Sequence, residues 1–123
     1  MNYSTQFLTV TLASLVLAHG VAAQPLARTQ VTEIKPLLIR AIELGSAHGV
    51  LVGEAATYVR QKFDASTPIE IDVRSLYALP EAGCSRLEVT TRQKAVLEKT
   101  KRDDKELIYQ VSYCRDGRFP EKR

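Results

Sequence analysis

Apolar and polar positions alternate with a period of two in three stretches of the chain, residues 69–74, 84–91 and 107–114. That period marks a half-buried strand, because successive side chains leave opposite faces of a sheet. Two earlier stretches repeat at helical spacing instead. Ile34, Leu37, Leu38, Ala41 and Ile42 make one apolar stripe, and Val52, Ala55, Ala56, Val59 and Phe63 make another. The first predicts a helix starting near Thr32, with Pro36 tolerated in its first turn and Gly45 closing it as a left-handed cap. The second predicts a helix from Ser46 or Gly49 to about Phe63. Its Glu54 lies near the start and its Arg60 and Lys62 near the end, where the helix dipole favours them. Ala41, Gly45, Gly49, Gly53 and Thr57 recur every fourth position, which is read as two glycine-capped helices in a hairpin. Arg40, Glu43, His48 and Glu54 interrupt any membrane-spanning reading of that stripe.

The stretch from Cys84 to Cys114 organises the rest. Folded antiparallel about Lys99, it sets Cys84 opposite Cys114. The same register sets Leu87 opposite Val111, Val89 opposite Tyr109 and Thr91 opposite Leu107. Those residues share one apolar face. Arg86 with Ser112, Glu88 with Gln110 and Thr90 with Ile108 form the other, which is mostly polar. A slip of one residue would send every side chain to the wrong face, so the register that joins the cysteines also sorts the hydrophobics. A structural disulfide is the expected state of the two thiols. The alternatives are a metal site, for which further ligands are missing, and a redox pair, for which a C-x-x-C spacing is missing. Residues 94–105, rich in Lys, Arg, Asp and Glu, read as a solvated hairpin tip.

Residues 69–74 supply a first strand with Ile69, Ile71 and Val73 on one face, and residues 79–83 a turn into Cys84. The expected fold is α+β: a hairpin of two N-terminal helices packed on a three-stranded antiparallel β-meander, clasped by one disulfide.

Composition then narrows the setting. Residues 1–23 hold no Lys, Arg, Asp or Glu, and Phe7 opens an apolar run of signal-peptide length with small residues, Val21, Ala22 and Ala23, before Gln24. This predicts a signal peptide over 1–23 and a single small α+β domain over 24–123, periplasmic or secreted. A retained membrane anchor is the competing reading. Export agrees with the disulfide, which persists in oxidising compartments. The net charge of +3 is mild and its positive residues are spread out, so neither nucleic-acid binding nor stable membrane insertion after cleavage is expected.

The residues carry little reactive chemistry. No P-loop, dinucleotide fingerprint or G-x-S-x-G occurs, and no cluster of zinc ligands, so no catalytic residue, cofactor or metal is assigned. His48, the one histidine of the 24–123 domain, is placed in the turn between the two helices, where a surface role is the plain reading. Glu70 and Asp72, with Glu88 beside them, share a strand face with Arg74 and Arg86, which would neutralise them on an open sheet.

Three segments, residues 49–55 (GVLVGEA), 68–74 (PIEIDVR) and 110–120 (QVSYCRDGRFP), resemble parts of small exported proteins encoded among conjugative-transfer genes of bacterial mobile elements. The resemblance implies an accessory of a cell-envelope transfer apparatus that acts through protein contacts, and it transfers no functional residues. The leading expectation is therefore a non-enzymatic exported protein that binds protein partners in the envelope. Its candidate surface is the edge of the narrow sheet at Ile69, Glu70, Asp72 and Arg74, with Lys99, Lys101 and Arg102 at the tip. Two rivals belong to other classes. One is an inhibitor of a secreted lysozyme- or protease-type enzyme, plugging a cleft with residues 79–83 or the charged tip. The other is a small basic hydrolase or nuclease toxin using His48 with a carboxylate such as Glu54.

Overall fold

A computed structural model of the chain describes residues 26–121, so the expected signal segment lies outside the described residues. Seven elements follow in order: β1 (Thr29–Val31), α1 (Lys35–Leu44), β2 (Ser46–Leu51), α2 (Glu54–Lys62), β3 (Ile69–Ala78), β4 (Cys84–Glu98) and β5 (Lys101–Cys114). The strands form one sheet in the order β1-β2-β3-β4-β5. β1 and β2 run parallel, joined through α1, and every other pair is antiparallel.

The α+β class and the disulfide hold, but the three-stranded meander under a helical hairpin does not: the sheet is mixed and five-stranded. Two added strands make the difference: β1, ahead of the expected first helix, and residues 46–51, expected as the start of the second helix and observed as β2. Gly45 closes α1 in the left-handed region at φ 91°, its N–H donating to the Ala41 carbonyl at 2.8 Å. Its own carbonyl then accepts from Ser75 N–H at 2.8 Å, which starts the pairing with β3 at once. Gly49 is there for contact, not helical spacing. A Cβ at this position would lie 2.7 Å from Leu37 Cδ1 and 3.1 Å from the Thr29 carbonyl oxygen, so only glycine lets α1 settle this close to β2. The every-fourth-residue stripe is thus a helix cap, a close approach and, at Gly53 (φ 83°), a second turn.

The Cys84–Cys114 hairpin has the expected register, pair for pair from Cys84↔Cys114 to Thr91↔Leu107, and the two sulfurs are bonded. A link across 30 positions stabilises the fold by roughly 3–4 kcal/mol in the chain-entropy picture. The charged stretch expected as a solvated tip is strand almost to its end, turning only at Lys99 and Thr100. One bulge interrupts it between Gln93 and Val96, where Ala95 takes φ 53°. Charges hold this part together where apolar residues are lacking. Arg102 donates to the carbonyls of Asp64 (2.7 Å) and Ala95 (2.9 Å), Asp104 accepts from Ala95 N–H at 3.0 Å, and Lys105 pairs with Glu98.

Both helices stand on the side of the sheet that carries Val73, Leu87 and Val89, but only α1 packs onto it. The core sits beneath α1, where Leu37, Leu38 and Ala41 meet Val73, Leu87, Val89 and Tyr113, all at most 4% exposed. Tyr113 also donates its hydroxyl to the Gly117 carbonyl at 2.8 Å and packs edge-on against Phe119, which ties down the chain after β5.

Candidate functional site: an apolar cleft beside a free strand edge

α2 is fastened at both ends and open between. At its start, Val52 N–H donates to the Val31 carbonyl at 2.8 Å. At its end, Leu97 N–H donates to the Phe63 carbonyl at 3.0 Å, and Gln93 Nε2 donates to the carbonyls of Ala65 (3.4 Å) and Thr67 (3.2 Å). Ala56 is the one buried residue of the helix. The apolar stripe expected to close on the sheet, Ala55, Val59 and Phe63, instead forms one wall of a cleft of about 580 Å³. Ile34 and Leu51 continue the wall, Ile69, Ile71 and Thr91 make the floor, and Leu107 and Tyr109 of β5 stand at the mouth. This volume and lining fall in the range of ligand-binding clefts.

The mouth lies along an unpaired strand. Among the described residues β5 pairs only with β4, so its other side offers free backbone N–H and C=O groups as far as Ser112. At Cys114 the N–H donates to the Arg118 carbonyl and the carbonyl accepts from Gly117 N–H. Three consecutive large apolar residues sit on it: Leu107, Ile108 and Tyr109 are 61%, 55% and 40% exposed. Leu107 and Tyr109 point to the cleft face and Ile108 to the opposite one. Burial beside the cleft pushes the Tyr109 phenol above its ordinary value.

The opposite face is polar and tied up in ion pairs. Asp72 is its hub, accepting from Arg28 Nη1 (2.9 Å), Arg92 Nη1 (2.7 Å) and lying 2.7 Å from His48 Nδ1. Burial pushes the Asp72 carboxyl up, but hydrogen bonds from Arg28 and His48, with the charge of Arg28, outweigh it and hold the group below its ordinary value. Arg74 pairs with Glu88 at 2.8 Å, and Arg92 also with Glu106 at 2.6 Å.

The expected surface residues do not form one patch. Ile69 is 3% exposed on the cleft side, whereas Glu70, Asp72 and Arg74 lie on the polar face. Their strand, β3, is hydrogen-bonded on both sides, so the free edge expected there is found on β5. Lys99 and Lys101 lie at the hairpin end, and Arg102 is turned back onto Asp64 and Ala95. His48 is not in a turn between helices. It lies in β2 directly opposite Asp72, so Asp72, not Glu54, is the carboxylate it meets. The expected inhibitor plug, residues 79–83, is braced by Arg118 and the Glu121 N–H on Glu81.

Among the described residues, the one grouping of possible metal ligands is Glu81 with Cys84 and Cys114, and its sulfurs are bonded to each other. No described helix is long and apolar enough to cross a membrane. The cleft and the β5 edge went unrecognised in the sequence, although one signal was present. Ile108 is an apolar residue at a polar-face position, which makes an unbroken apolar triplet inside an alternating strand. Comparison with protein-family models, curated proteins and solved structures found no match.

Proposed function

We propose that this is an exported, non-enzymatic binding protein that captures an extended segment of a partner polypeptide along β5. The partner strand joins the sheet through main-chain hydrogen bonds and turns every second side chain toward the cleft beneath α2. The observation that carries the reading is the apolar cleft opening directly onto a free strand edge. A lipid or small apolar molecule would use the cleft alone, whereas a polypeptide strand uses both. The disulfide supports an oxidising compartment. The resemblance of residues 49–55, 68–74 and 110–120 to exported accessories of conjugative transfer supports a partner within the cell envelope.

A charge placed at the mouth tests the reading. Leu107 is exposed, so Leu107→Asp should leave stability within about 0.5 kcal/mol of the native protein. The same change should abolish recovery of envelope proteins on affinity purification from the periplasm, while Glu88→Ala on the polar face should leave recovery unchanged. Full recovery with Leu107→Asp would contradict the proposal. Recovery of a single soluble enzyme, lost on replacement of residues 79–83, would favour an inhibitor instead.

A further inference from the structure

We propose that in the isolated protein the strand taken up by β5 is the β5 of a second copy, paired antiparallel about a two-fold axis passing at Ile108. This rests on the reading of β5 as the binding edge and names the partner that edge takes first. Among the described residues β5 is the only long free edge of the sheet, since the other edge strand, β1, has three residues. Exposed edges with consecutive apolar side chains pair with another chain unless something blocks them. Here no proline interrupts residues 101–114.

The side chains select one register. A two-fold axis perpendicular to the sheet sets residue i opposite its mirror position on the same face, so it must pass at a residue. Centred on Lys105 or Glu106, the pairing would set like charges opposite each other, which destabilises strand pairs. Centred on Leu107, it sets Ile108 opposite Glu106; centred on Tyr109, it sets Ile108 opposite Gln110. Centred on Ile108, it sets Ile108 against Ile108, and Leu107 against Tyr109 twice over. Lys105 then meets Val111, Glu106 meets Gln110 and Asp104 meets Ser112, with no like charges opposed over this span. The pairing stops short of Cys114, whose N–H and carbonyl are held by Arg118 and Gly117. All three exposed apolar residues are covered by one another only in this register. Each cleft also gains a wall it lacks, because the second copy's Tyr109 stands beside Leu107 at the mouth.

The test uses the native protein with its disulfide formed. In sedimentation velocity its mass should double from one chain to two as concentration rises. Ile108→Lys sets two ammonium groups opposite each other and should remain a monomer, as should Ile108→Glu by the same logic. Mixed in equal amounts, these two variants should regain the doubled mass, since lysine then faces glutamate across the axis. This rescue also shows that both variants are folded. A native protein that stays monomeric at every concentration would overturn the proposal, leaving the edge to a strand of a different protein; the edge reading would then stand or fall with Leu107→Asp. A native dimer with no rescue in the mixture would overturn the register. Doubled mass and rescue together would support the proposal even if Leu107→Asp kept its envelope partner, which would refute only the reading of that partner's site.

Discussion

α1 and α2 carry apolar stripes of similar size, yet one is sealed to the sheet and the other spans a gap. Under α1, Leu37, Leu38 and Ala41 are buried to 4% exposure or less because Gly49 removes the side chain that would hold the helix away. Under α2 no such approach occurs. Its ends are tied by backbone hydrogen bonds to β1 and β4, and its stripe faces open space. An apolar stripe in a sequence therefore says that a face needs cover; it does not say that the same chain supplies it. The sealed half holds the fold together, and the open half is the part to which the proposal assigns binding.

Truncating each half should separate them most widely. Leu37→Ala should cost roughly 2–5 kcal/mol in urea unfolding, through lost burial and a residual cavity. Val59→Ala, at the cleft wall, should cost less than about 1 kcal/mol, because it enlarges a space that already exists. Equal losses would erase the distinction. Next in size, Gly49→Ala should destabilise by about 1–3 kcal/mol, since the added methyl meets Leu37 and the Thr29 carbonyl. Its effect should shrink in a Leu37→Ala background, where the nearer of those neighbours is gone and only the Thr29 carbonyl contact remains.

The smallest effect concerns the polar face. The Asp72 carboxyl titrates below its ordinary 3.8 in the fold, so its ion pairs stabilise the protein above that pH, and the stabilisation is lost as pH falls through the lower folded value. Asp72→Asn should thus be less stable than the native protein near neutrality, by about 1 kcal/mol or less for partly exposed pairs. Unfolding measured down a pH series should show that difference shrinking below 3.8. A difference independent of pH would mean that the charge of Asp72 contributes nothing.

What the sequence made legible was local or covalently pinned. The 84–114 register was readable because two independent patterns, cysteines and alternation, demanded the same pairing. α1 was readable from its stripe and its glycine cap. β2 was hidden because Ala47, Gly49 and their neighbours have too little hydrophobic contrast to show a period of two, and a glycine needed for close approach looks like one needed for spacing. The charged half of the hairpin was hidden because cross-strand ion pairs, Arg92 with Glu106 and Lys105 with Glu98, hold it extended in place of apolar residues. The Asp72 hub was half visible: the carboxylate and its strand face were identified, but Arg28 and His48 reach it only through strand pairings that alternation did not reveal. The cleft could not be read at all, since it arises from where α2 is fastened.

The most direct test of the account is site-specific photo-cross-linking in the native compartment, with the reactive group placed in turn at positions 107, 109, 74 and 88. The account predicts adducts to a polypeptide strand, a second copy or an envelope partner, from 107 and 109, and none from 74 and 88. Adducts formed from the Arg74 and Glu88 positions, with 107 and 109 silent, would contradict it.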